Sequence, residues 1–278
     1  MAILSLNEIL RNEIQQYLGG SDSILIKTIL DLTSRVRPGM DQVTVPRISG
    51  LALSSVTAGS RATAGGMTTA GDALVLDQSK QVPEYISYDD GLESAVDLKQ
   101  AFLEAAPRVF AQGIEAAIAT ALATASAGDF DSASASAGVF AVSDFGNAKK
   151  LLDEAQVPYS DRWCAINAEG MELLASFTEF QEGQKSLSDE ALRQGVVSQV
   201  KGFKVVQSED VGGTGAANEV HFYHRSAVCF AMHDQVHFIE KMNEEYAQEF
   251  IALRGKYGVK TLDSGARKVT MALTTATS

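Results

Sequence analysis

Two segments rich in β-branched and aliphatic residues, Val43–Val56 and Ala73–Tyr88, flank a stretch from Ala58 to Gly71 that is almost wholly Ala, Gly, Ser and Thr. Such a stretch has little with which to build a core, so it stays mobile or is ordered by a partner. The three pieces read as one long β-hairpin. A two-stranded ribbon is marginally stable alone, and this one must dock on another surface, within its own subunit or on another copy.

The segments before it are helical in period. Ile3, Leu6, Ile9, Leu10, Ile14 and Leu18 lie at helical spacing until Gly19-Gly20. A second helix, capped by Ser21 or Asp22, is expected from Ile24 to Val36, where Pro38-Gly39 stops it. After the hairpin, residues 92–126 carry the strongest period in the chain, including Leu98, Phe102, Ala106, Phe110, Ile114, Ile118 and Leu122. This predicts a long amphipathic helix on the order of 50 Å in length, kinked or broken at Pro107. Ala125–Gly138, nearly all Ala, Ser, Gly and Asp, reads as a flexible connection. Beyond it come a helix over Asp144–Glu154, a buried strand at Trp163–Asn167, a helix over Gly170–Phe177 and a hairpin around Lys201-Gly202. Strand patterns at Glu219–Phe230, Val236–Lys241, Glu249–Leu262 and Lys268–Leu273 complete an α+β chain.

Composition narrows the function classes. Across 278 residues, 45% are hydrophobic and 21% charged, which suits a packed globular protein. A net charge of -12 argues against a surface built to wrap phosphates, so contact with DNA is expected to be weak. No apolar run approaches the roughly 20 residues that cross a bilayer, and no membrane partner is expected. Met1–Leu18 lacks the basic start of a secretory signal, and with two cysteines the simplest setting is a reducing cytoplasm.

The order of these parts, with several local patterns, resembles the tailed-bacteriophage major capsid fold named after the Hong Kong ninety-seven phage and shared with encapsulin shells. Val157-Pro158-Tyr159-Ser160-Asp161-Arg162-Trp163-Cys164-Ala165-Ile166, after the helix holding Ala148–Asp153, is similar to the family's valine-proline turn, arginine and buried strand. Gly195–Ser208 is similar to its glycine-phenylalanine hairpin, and His224–Val228 with Arg254–Leu262 to its return strands. The match runs from about Val43 onward. The resemblance implies an N-terminal arm at 1–42, an extended loop at 43–90, a peripheral domain with a spine helix at 91–141, an axial domain at 142–237 and peripheral return strands at 238–278.

It also implies a structural subunit that assembles with itself into hexamers and pentamers of an icosahedral shell around double-stranded DNA. The virion would be its location and the host bacterial cytoplasm its place of assembly. Inter-subunit contacts would fall on the loop tip, at Arg61, Gly65, Gly66 and Met67, and on the arm, at Leu6, Ile9, Leu10 and Ile14. The short arm has no room for a built-in scaffolding segment, so a separate scaffolding protein is expected, with a portal and, in some shells, decoration proteins. Lys80, the only lysine between Val43 and Asp90, sits away from the tip, so no covalent cross-link between subunits is expected. An encapsulin-like compartment holding a cargo enzyme is the alternative within the fold.

A zinc-dependent enzyme is the alternative from another class, since His221, His224, His233 and His237 all flank Cys229. In a strand, however, His221 and His224 face opposite ways, and His233 and His237 would stand ~13 Å apart. No zincin Glu follows the first His of that pair. Gly213-Thr214-Gly215 lacks the next glycine of a dinucleotide loop, and there is no Walker loop and no G-x-S-x-G elbow. Cys164, beside Trp163, reads as a protonated core thiol. No catalytic residue, cofactor or metal site is therefore assigned.

Overall fold

The structure, a computed structural model, describes residues 24–49, 68–87, 98–124, 126, 128–131, 141–176, 199–212, 219–233, 236–243 and 248–272, together with 12, 14 and 16. Helix α1 spans only Leu25–Thr28. The expected helix to Val36 is therefore corrected: after one turn the chain extends as β1, Leu30–Asp31, which pairs in parallel with β10, Val228–Met232. Leu32 N–H continues this pairing by donating to the Phe230 carbonyl at 2.8 Å. The free edge of β10 offers these groups partners that an exposed helical turn would leave to water, and tertiary pairing overrides the helical period.

Strands β2, Gln42–Ser49, and β3, Thr68–Val75, form an antiparallel pair in register from Gln42↔Val75 to Ser49↔Thr68. The expected return strand to Tyr88 is divided. Leu76 turns inward to a cluster with Leu32, Val43, Leu74 and Leu262, and the chain resumes as β4, Gln78–Ser87, in a different sheet. Burial of Leu74 and Leu76 two residues apart pins the hairpin base, because every second strand residue points to one face.

Helix α2 spans Leu98–Ala123 without interruption, 26 residues and so ~39 Å long. The break expected at Pro107 is absent. The ring is buried in the helix, and losing one backbone bond is offset by the packing of Phe110, Ile114, Ile118 and Leu122 along the same face. Beyond it lie β5 at Phe130–Asp131, α3 at Val142–Glu154, β6 at Arg162–Ile166, α4 at Ala168–Ser176, β7 at Gln199–Val200, β8 at Phe203–Gln207 and β9 at Glu219–His224. After β10 come β11 at His237–Asn243, β12 at Gln248–Thr261 and β13 at Lys268–Ala272. The turn between β7 and β8 places Lys201 at φ 44° and Gly202 at φ 94°, the two left-handed residues that a tight hairpin of this hand requires.

Two sheets carry the chain. In the first, the 14-residue β12 is the spine. Its one edge pairs with β10 and then β11, its other edge with β4, and β1 lies outside β10. Helix α2 covers this sheet, and Phe110 meets Tyr257 edge to face at 6.1 Å. The second sheet runs β5-β13-β9-β6-β8-β7, and α3 places Phe145 against Phe222 at 5.1 Å. Arg162, 3% exposed, ties the Val157-Pro158 turn to this sheet. Its guanidinium donates to the Val157 and Pro158 carbonyls and pairs with Asp153 at 2.7 Å. The expected boundary at 237/238 does not follow sheet membership, since β10 joins the first sheet and β13 the second.

Candidate assembly surfaces

The β2–β3 pair joins neither large sheet and rests on the first through its base. Lys260 Nζ donates to the Ala73 carbonyl at 2.8 Å, Asp263 N–H donates to Asp72 Oδ2 at 3.0 Å, and Arg47 pairs with Asp263. Gly258 permits the approach, because a Cβ there would stand 2.3 Å from the Val75 carbonyl oxygen. Its need for Gly comes from a strand far away in sequence, which no local signal reveals. The tip positions Arg61, Gly65, Gly66 and Met67 lie outside the described residues.

Of the arm residues, Leu6, Ile9 and Leu10 also lie outside them. Ile14 is helical and 0% exposed, packed in the chain's own cluster with Leu25, Ile29 and Ile114, so the subunit as folded leaves it no surface for a neighbour. The following segment is held by a residue that the helical pattern hides. Glu115, on α2 and 3% exposed, accepts hydrogen bonds from the N–H groups of Leu25 and Ile26 at 3.0 and 3.1 Å. It thereby satisfies two orphan donors at the start of α1. Thr28 adds a bond of 2.6 Å to the Tyr223 hydroxyl.

Burial pushes the Glu115 carboxyl above its ordinary value, against the opposing effect of the two N–H donors, and nearby Asp210 adds to the rise. Because the folded pKa is the higher one, the proton favours the folded state. The contribution of Glu115 is thus greatest below its ordinary 4.5 and falls as pH rises through the raised value. Glu115→Ala should cost about 2 kcal/mol by leaving two buried N–H groups unpaired. Glu115→Gln keeps an acceptor without a charge. In urea unfolding across pH, the stability of wild type relative to the Gln variant should decline from acid to neutral; a constant difference would contradict the assignment.

The end of α2 depends on another unforeseen residue. Lys268, 2% exposed, sends its ammonium from β13 to the carbonyls of Ala121, Leu122 and Thr124, the last turn of the helix. Burial holds its pKa below the ordinary lysine value, while Asp129 and Glu219 oppose that fall. A cation here meets both the unpaired carbonyls and the negative end of the helix dipole.

The histidines do not converge. His221 is buried in β9, its Nδ1 3.2 Å from Thr270 Oγ1, and burial, with Lys268 nearby, lowers its pKa to about 4. His224 is engaged with Ser226 at 2.8 Å, whereas His233 and His237 stand on the first sheet. Among the described residues no three His, Cys, Asp or Glu side chains could hold a metal. The Cys164 thiol is fully buried, and desolvation raises its pKa well above the ordinary value, the opposite of an activated nucleophile. No described helix is long and apolar enough to cross a membrane.

Solved structures share this architecture over nearly the whole chain. A chain of Mycobacterium phage Che8 superposes with a TM-score of 0.72 at 19% identity, covering 91% of this chain and 92% of its own length. The capsid of cyanophage P-SCSP1u gives 0.68 at 14% identity, covering 88% and 86%. The capsid of an empty GTA particle gives 0.61 at 12% identity, covering 99% and 92%. Compared by sequence, the chain matches no family model and no curated protein. The likeness is one of fold: the chain has the α+β fold of phage major capsid subunits.

Proposed function

We propose that the chain is the structural subunit of a phage capsid, assembling with copies of itself into hexamers and pentamers of an icosahedral shell around double-stranded DNA. The observation that carries this is the extent of the likeness. A chain of Mycobacterium phage Che8 and the capsids of cyanophage P-SCSP1u and a GTA particle match nearly end to end, at 19%, 14% and 12% identity. The build of the subunit supports it. A ribbon that joins neither large sheet is suited to the repeated heterologous contacts from which closed shells are made.

In this reading the tip around Arg61, Gly65, Gly66 and Met67 lies on a neighbour, and the arm residues Leu6, Ile9 and Leu10 reach another. The subunit assembles in the host cytoplasm with a separate scaffolding protein and a portal, then resides in the virion, with decoration proteins as optional outer partners. The charge of -12 keeps packaged DNA in weak, non-specific proximity. Electron microscopy of the expressed protein, alone and with candidate scaffolding proteins, should show closed particles of uniform size. A protein that stays monomeric in every combination and at every salt concentration would end this reading. On a denaturing gel the particles should run as single subunits, because Lys80 lies in β4, within the subunit's own first sheet.

A further inference from the structure

The first sheet sorts its charges by face. Register and strand alternation place Ser79, Gln81, Pro83 and Tyr85 of β4, Phe250, Ala252, Arg254 and Lys256 of β12, and His237, Ile239 and Lys241 of β11 on the face away from α2. Every charged side chain in that set is a cation. The carboxylates of the same stretches, Glu84, Glu240 and Glu249, lie on the opposite face, where Lys99 of α2 pairs with Glu240 at 2.6 Å and Glu249 at 3.4 Å.

On the cationic face, His233, His237, Arg254, Lys256 and Ser79 surround a pocket of about 240 Å³. Among the described residues the carboxylate paired with a lysine of this pocket is Asp41, itself 84% exposed, which takes Lys256 at 3.0 Å. Arg254 donates to the Ser79 hydroxyl at 3.2 and 3.3 Å, and among the described residues neither it nor Lys241 meets a carboxylate. Beside the cations, Tyr85, 58% exposed, packs on Phe250 at 5.0 Å. An apolar patch with a charged border is the anatomy of a protein interface.

We propose that this face docks a carboxylate-bearing surface of a second copy of the chain, with Arg254 and Lys241 as the anion-receiving part. Charge complementarity selects the occupant. The whole chain carries -12 and the strand positions of this face contribute only cations, so the remainder of each copy is more acidic still. Complementary faces on one molecule give a heterologous contact, the kind that closes into rings. The inference rests on the shell reading and adds to it a receiving surface distinct from the hairpin and the arm.

The test reverses charge where the fold does not need it. In the variant carrying Lys241→Glu and Arg254→Glu, both exposed positions, circular dichroism and the unfolding midpoint should stay at wild-type values. Particle yield should fall at least roughly tenfold, since like charges facing each other cost several kcal/mol. Lys149→Glu, an exposed charge reversal on α3 and off this face, should assemble as wild type does, and wild-type assembly should weaken with added salt. Normal particles from the double variant would overturn the inference and leave the shell reading standing. Absence of particles from wild type itself would end both. Retention of particles together with loss of duplex DNA binding in the double variant would also overturn it, assigning the face to nucleic acid.

Discussion

Gly258→Ala should detach the hairpin base from the first sheet and abolish particle formation. A methyl group at this position would meet the Val75 carbonyl oxygen at 2.3 Å, the Val75 carbonyl carbon at 3.1 Å and Leu76 Cα at 3.2 Å, all backbone atoms that no rotamer change can move. Relief requires β3 to lift, and β3 carries Leu74 into the cluster with Leu32, Val43, Leu76 and Leu262. Overpacking of this kind costs about 3 kcal/mol. Gly113→Ala is the matched control. Nothing lies within 4 Å of a Cβ there, and an exposed helical position gains about 0.5–1 kcal/mol from alanine. Chemical unfolding and electron microscopy of the two variants read both quantities. If the Gly258 variant has wild-type stability and forms particles, the close approach is not what seats the hairpin.

Lys268→Met should destabilise the fold by about 3 kcal/mol, because it leaves carbonyls in the last turn of α2 without a donor and removes the cation at the negative end of the helix. Thr261 Oγ1 still donates to Ala121 at 3.0 Å, so the loss falls on Leu122 and Thr124. Methionine fills similar space with no donor, which separates the hydrogen bonds from packing. Urea unfolding gives the energy. Hydrogen exchange should show the amides at the C-terminal end of α2 opening faster, while those of α3 and β6 in the second sheet keep their protection. Uniform loss of protection in both regions would mean that the residue supports the whole fold and not the helix end.

These two positions show how legibility in the sequence divides. The face of α2 could be read because Phe110, Ile114, Ile118 and Leu122 recur at the helical interval and all meet one sheet. The hairpin turn at Lys201-Gly202 could be read because it is completed within a few residues of chain, and the Arg162 turn is implied by the family resemblance. No local pattern marks Gly258, Glu115 or Lys268. Their partners are Val75, the Leu25–Ile26 amides and the Ala121–Thr124 carbonyls, each far away along the chain. The expected helix to Val36 and the single return strand to Tyr88 failed for the same cause, since the edges of β10 and β12 captured β1 and β4.

The amino-acid order by itself determined the long helix, the strand-rich segments outside residues 24–36, the coreless stretch from Ala58 to Gly71, and the acidic balance that disfavours wrapping nucleic acid. Those are properties of periodicity and composition, set by each residue and its near neighbours. Only the tertiary structure decided which sheet each strand joins, where the hairpin sits, which buried ions cap the helices, and that the charged strand residues on one face of the first sheet are all cations. These depend on contacts between distant segments, whose free energy is gained only when the pieces pack together and so leaves no local trace in the chain.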